Sequence, residues 1–338
     1  MEHELRDITI IGGGPTGLFA LFYAGMRGAT AQVVDALPDP GGQLTALYPE
    51  KWIFDVGGIP KVLAKDLVKS LTAQAMQFGG VFHGAQRVTG LEERDGVFHL
   101  ITDGGRFPTR AILIAAGIGA FAPRKLPQAA AVPWEGRGVA YAVGDPAQYH
   151  DRHVVIIGGG DSAFDWAHQL APRAASLTLV HRSDRFRAHA ATVANVQAAA
   201  DAGRVSIFTF HELHDVIGQN GAINEVELRD VKAKTTRRVR ADHVLPMLGY
   251  VGDMGALTEW GLAIVNDEIT VNQLMETGRA GVWAAGDVTT YLGKLKLIAT
   301  GFAEACTAVN QAVHWIYPGK KVDPGHSSNL AIFGQKDD

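Results

Sequence analysis

IIGGGPTGLFA at residues 10–20 and VIIGGGDSAFDWA at residues 155–167 decide how this chain folds. In the first stretch Gly12, Gly14 and Gly17 lie between the apolar run Ile8 to Ile11 and the apolar segment Leu18 to Met26. That order puts the glycines where a strand turns into a helix. Their spacing gives a tight turn, an approach of bare backbone to a pyrophosphate, and close packing of helix on strand. The helix start offers unpaired N–H groups and a partial positive charge to phosphates, with Thr16 lining the turn. About twenty residues past the turn, the strand AQVVD (31–35) ends in Asp35, whose carboxylate can accept hydrogen bonds from ribose hydroxyls. Strand, turn, helix, strand and terminal acid together are far more specific than three glycines alone.

The second stretch repeats the spacing with Gly158, Gly160 and Ala163, and has Asp161 and Ser162 at the start of its helix. Its second strand, SLTLV (176–180), runs into HRSDRFRAH (181–189), which has no acid at the strand tip. His181, Arg182 and Arg187 stand there instead. Two guanidinium groups can fork onto a phosphate, and recognition of a ribose 2'-phosphate needs such charge-assisted donors. The first site therefore reads as one for FAD and the second as one for NADPH.

The remaining composition limits the function. With 338 residues, 47% of them hydrophobic, and 40 glycines, the chain has material for two cores. A net charge of −4 gives no overall pull toward nucleic acid or an anionic membrane. No run of about twenty apolar residues is present, and MEHELRD (1–7) lacks the basic and apolar regions of a signal peptide, so a cytoplasmic location is expected. The one cysteine, Cys306, lies in the apolar helical stretch LIATGFAEACTAVNQAVHWI (297–316) and reads as a small core residue. One cysteine excludes an intramolecular disulfide, and with it a redox-active CxxC. His211 and His214 have no cysteine or carboxylate companions in a ligand pattern, so no metal is expected.

Punctuation along the chain gives the domain plan. RVTGLEERDGVFHLIT (87–102) reads as a hairpin through Asp95-Gly96, and AINEVELRD (222–230) follows a second hairpin turn at Asn220-Gly221. The strand AILIAAG (111–117) runs into the proline-containing FAPRKLPQ (121–128), which suits a crossing between domains. A similar strand ends near residue 250, and GVWAAGDV (281–288) then resembles a late strand of the first domain with Asp287 at its tip. The expected fold is α/β: two Rossmann-like three-layer ββα dinucleotide-binding domains, with the NADPH domain (119–248) inserted into the FAD domain (1–118 and 249–338, including the C-terminal tail).

With IGGGPTG, GGQL, GGGDSA, HRSDRFRA and AAGDV in order, the chain resembles the thioredoxin-reductase-like flavoproteins over essentially its whole length. Where thioredoxin reductases keep a CxxC this chain has GVAYAVGDP (138–146), with Tyr141 and Gly144 at the cysteine positions. LYPEKWIFDV (47–56) and PGHSSNLAIFG (324–334) make it more similar to ferredoxin-NADP reductases of the thioredoxin-reductase-like type. The resemblance implies FAD contacts at Thr16, Asp35, Gly42, Gln43, Tyr48, Val88, Phe121, Asp287 and Ser328. It also implies three catalytic-site residues: Tyr48 stacked on one face of the flavin ring, His326 covering the other from the second subunit of a homodimer, and Ser328 near flavin N5. Asp35 departs from the glutamate common in the family, and Ser183 from an arginine.

The implied reaction gives a hydride from NADPH to flavin N5 and releases electrons singly to ferredoxin or flavodoxin, with no protein disulfide. Two other readings compete. One is an NADPH oxidase or diaphorase-like flavoenzyme reducing a quinone, free flavin or iron chelate; the other is a sensor that binds both nucleotides and turns over negligibly. Lys294, Lys296, Arg124 and Lys125 are the candidate contacts for an acidic carrier.

Overall fold

The computed structural model describes residues 3–321 and Ser327. The chain forms two compact units, one made of Met1–Phe121 with Gly252–Asp338 and the other of Ala122–Val251.

In the first unit β1 (Arg6–Ile11) pairs in parallel with β2 (Ala31–Val34), from Ile8 opposite Ala31 to Ile11 opposite Val34. Both strands are covered on both faces, as parallel strands are: Ile8, Ile10, Val33 and Val34 are fully buried, and the buried polar residues Thr9 and Gln32 satisfy each other, the Gln32 amide donating to the Thr9 hydroxyl at 3.0 Å. Between them lies α1 (Pro15–Met26), which starts on Pro15, whose fixed φ suits the first helical position. Its residues Leu18, Ala20, Leu21 and Ala24 are buried. Next come α2 (Ala64–Ala75) and β3 (Val81–His83), the latter parallel to β2.

Three antiparallel strands complete this part: β4 (Val88–Arg94), β5 (Val97–Thr102) and β6 (Arg106–Ile114). The β4–β5 turn has φ +52° at Asp95 and +76° at Gly96, the left-handed pair of a two-residue hairpin, as the Asp-Gly dipeptide predicts. β6 returns alongside β1, with Ile11 opposite Ile114, so the sheet order is β3-β2-β1-β6-β5-β4.

The second unit repeats the pattern. β7 (His153–Ile157), α3 (Asp161–Leu170), β8 (Ser176–His181), α4 (Ala190–Asp201) and β9 (Val205–Thr209) build a parallel sheet, β9-β8-β7, extended beyond β7 by β13 (His243–Pro246). An antiparallel sheet of β10 (His211–Gln219), β11 (Ala222–Asp230) and β12 (Thr236–Arg240) is inserted before β13. Its hairpin turns at Asn220 and Gly221, with φ +55° and +81°. Phe164, Leu170, Ile156 and Leu179 are fully buried in the core of this unit.

Returning to the first unit, β14 (Val282–Ala284) pairs in parallel with Ile112–Ile114 of β6. It leads to Asp287 and on to α5 (Ile298–Ile316), whose Ala305, Ala308, Val309, Ala312 and Val313 form a buried helical stripe. Among the described residues no helix is long and apolar enough to cross a membrane.

Candidate active site

At the end of β1, the Gly12 N–H donates to the Val34 carbonyl at 2.9 Å and draws the turn against β2. Gly17 lies one helical turn on; a Cβ there would stand 1.9 Å from the Gly12 carbonyl oxygen, so only glycine lets α1 come this close. Gly14 differs. Its φ of −68° is open to any residue, and an added Cβ would meet nothing within 4 Å. Neither conformation nor packing of the protein demands glycine there, which leaves the open face as the reason for it.

Asp35 ties this turn together. Its carboxylate accepts hydrogen bonds from the Gly13 N–H and, at 2.7 Å, from the Leu37 N–H. Burial pushes its carboxyl above the ordinary value, and the two backbone donors oppose that rise. The shorter acid thus bonds directly to the glycine turn while still lining the adjacent cavity.

That cavity has a volume of about 410 Å³, within the range of small-molecule sites. Of the residues selected from sequence it is lined by Gly12, Gly14, Thr16, Asp35, Gly42, Gln43, Tyr48, Val88 and Asp287. Gly17 is not on its wall. The side chain of Phe121, and His326 and Ser328 altogether, lie outside the described residues. The cavity also takes in Lys51 and Asp55 of the LYPEKWIFDV segment, Lys296, which was expected to meet a carrier, and Gln86, Arg87, Met254, Leu257 and Ile298, which were not expected at a site. Gln86 comes to the wall because its N–H donates to the Asp35 carbonyl at 2.8 Å, a consequence of β3 lying beside β2.

Asp287 is the group on this wall most in need of a partner. Burial raises its carboxyl above the ordinary value, against the pull of Lys294 and Lys296. Among the described residues no donor hydrogen-bonds to its carboxylate. A half-buried acceptor of this kind fits hydroxyl groups of a ligand. Tyr48 brings an aromatic face to the same cavity, with the Lys51 ammonium 5.4 Å from its ring centre.

The second turn is built alike. The Gly158 N–H donates to Val180 at 3.0 Å, and Gly160, at φ −101°, again has open space where a Cβ would stand. Ala163 is fully buried at the position matching Gly17, and Ser162 follows Asp161 in the first turn of α3. The arginine loop is fastened beside the turn, with the Arg187 N–H donating to the Gly159 carbonyl at 2.7 Å. The His181 ring lies against Gly159, 2.4 Å from where a Cβ would be, and its Nε2 is 3.2 Å from Ser183 Oγ and 3.2 Å from the Arg185 carbonyl. Burial lowers the imidazole pKa, a fall opposed by the Arg185 bond and reinforced by Arg182 and Arg187. Arg182, Arg185 and Arg187 are all exposed, and among the described residues none forms an ion pair. Ser183, standing where an arginine was expected, braces this loop through Arg185.

Of the basic residues expected to meet a carrier, Lys294 is overturned. Its side chain is buried and paired with Glu304. Lys296 is paired with Glu268 and Lys125 with Glu135, yet both remain exposed, as does Arg124. His211 and His214 face separate carboxylates, Asp230 at 4.0 Å and Glu227 at 3.7 Å. Cys306 is half-buried on α5, and burial raises its thiol pKa.

Residues 6–312 match the family of pyridine nucleotide-disulphide oxidoreductases. The chain is 47% identical over 330 residues to ferredoxin-NADP reductase 2 of Shouchella clausii, covering 97% of this chain and 99% of that one. It is 46% identical over 330 residues to the ferredoxin-NADP reductase of Halalkalibacterium halodurans, again covering 97% and 99%. The solved structure of Lactococcus lactis thioredoxin reductase shares the fold, with a TM-score of 0.78 at 24% identity over 93% of this chain and 99% of that one.

Proposed function

Since the chain belongs to the pyridine nucleotide-disulphide oxidoreductase family, we infer that it is an FAD-dependent oxidoreductase carrying electrons between NADPH and ferredoxin. The observation that carries this reading is identity of 46–47% to ferredoxin-NADP reductases over nearly the full length. Its single cysteine is consistent with electron transfer that bypasses a protein dithiol. The small-acceptor oxidase is the less favoured alternative.

The first cavity suits FAD. Gly14 leaves room for a pyrophosphate, Asp35 stands at the tip of β2, and Asp287 offers an acceptor that no donor among the described residues engages. FAD, when bound, takes electrons in pairs from NADPH and gives them up singly to the carrier. The chain's own residues position the two nucleotides. Tyr48 supplies a stacking face, while Arg182 and Arg187 stand at the end of β8 where a 2'-phosphate would be read. No side chain is required to move a proton. We assign His326 and Ser328 of the tail to the flavin edge, residues 1–118 and 249–338 to FAD, and 119–248 to NADPH. We further assign the active form to a cytoplasmic homodimer that also serves flavodoxin.

The test is anaerobic rapid mixing of the purified protein with NADPH or NADH, followed by cytochrome c reduction with and without ferredoxin. The reading requires rapid bleaching of the flavin by NADPH and a strong gain from ferredoxin. Bleaching with no gain from either carrier would assign the chain to the small-acceptor oxidases.

A further inference from the structure

Glu304 is only 3% exposed, an unusual place for an acid. Its partner Lys294 is equally withdrawn, the two side chains being 4% and 6% exposed. Desolvation largely offsets the attraction within a buried ion pair, so stability is a weak reason for one. The geometry supplies a better one. Glu304 accepts the Gly286 N–H at 2.7 Å, the Tyr291 hydroxyl at 2.6 Å, and the Lys294 ammonium. Lys294 also donates to the Gly286 carbonyl at 3.0 Å, which Thr289 supports through its N–H at 3.0 Å and its hydroxyl at 2.8 Å.

Both polar backbone groups of Gly286 are therefore fixed, one by each member of the pair. The residue is held at φ +84°, where a Cβ would stand 2.9 Å from Thr16 Oγ1. Gly286 and Asp287 line the cavity, whereas Lys294, Tyr291 and Glu304 do not. Any effect of the pair on a ligand must pass through Gly286 or through its charge.

We propose that Lys294 and Glu304 are positioning residues for the flavin: they clamp Gly286 so that Asp287 stands at the cavity wall, and their opposite charges cancel behind it. The proposal rests on the FAD reading of this cavity. Removing one partner at a time leaves a net charge of known sign beside the site. Lys294→Met leaves the Glu304 carboxylate, which disfavours the extra negative charge of the reduced flavin and lowers its midpoint potential. Glu304→Gln leaves the ammonium and raises the potential. Lys294→Met/Glu304→Gln returns it toward wild type.

The experiment titrates the midpoint potential of each FAD-loaded protein across the neutral and alkaline range, and measures FAD dissociation constants by fluorescence. Each single variant is expected to bind FAD on the order of tenfold more weakly, with potentials displaced in opposite directions. Displacements of the same sign, or none, in variants that bind FAD overturn the proposal. Tyr291→Phe decides if a single variant does not fold. It weakens compensation of Glu304 without removing a charge, so its potential is expected to move with that of Lys294→Met, and an unmoved potential overturns the proposal. Wild-type protein that holds FAD but gains nothing from ferredoxin would sink the electron-carrier reading while leaving these potentials readable.

Discussion

Asp161 accepts a hydrogen bond from the backbone N–H of His189 at 2.8 Å, so the first residue of α3 holds the far end of the arginine loop. With the Arg187 N–H bound to Gly159, the loop is anchored at two points beside the second glycine turn. Three exposed guanidinium groups are thereby presented on a fixed backbone, which reduces the ordering cost of binding a phosphate.

Arg182→Ala is expected to raise the KM for NADPH about thirtyfold, the loss of one charged hydrogen bond worth roughly 2 kcal/mol. The KM for NADH should be unchanged. Steady-state kinetics with both nucleotides check this, and an equal rise for both would remove Arg182 from 2'-phosphate recognition.

The glycines separate folding from binding. Gly17→Ala forces a methyl into the Gly12 carbonyl and is expected to give poorly folded protein without flavin. Gly160→Ala meets nothing in the protein; it should melt like wild type and keep FAD, yet bind NADPH at least about tenfold more weakly because the methyl occupies the pyrophosphate's approach. Thermal melts and nucleotide titrations of the two variants distinguish these effects.

Asp287 gives a pH signature in the flavin-free protein. Burial raises its carboxyl pKa, so the folded chain holds this proton more tightly than the unfolded chain. Its contribution to stability is complete below the ordinary carboxylate range and is lost as pH rises through the folded value. Asp287→Asn should therefore melt above wild-type apoprotein at neutral pH, with the gap closing in acid. The same substitution is expected to weaken FAD by roughly tenfold or more, since hydrogen bonds to a charged acceptor are worth about 1.5–3 kcal/mol. A pH series of apoprotein melts and an FAD titration read the two effects separately.

The features legible in the sequence were local ones. Both glycine turns are marked by glycine spacings of a few residues, and the Asp95-Gly96 and Asn220-Gly221 hairpins are specified by two residues each. Lys294 was misread because a lysine in a polar stretch ordinarily points to solvent, and nothing in YLGKLKL announces that Glu304 reaches back from α5 to meet it. Gln86 and Arg87 reach the cavity through the order of the strands, a long-range fact that no local motif carries. The exchange of glutamate for Asp35 was visible, but its bond to the Gly13 N–H depends on how closely β2 approaches the turn.

The solitary half-buried thiol of Cys306, with its raised pKa, means that sulfur has no station on the proposed electron route. This protein is expected to keep its full rate of electron transfer after iodoacetamide treatment, a resistance open to a chain whose one sulfhydryl stands off the route.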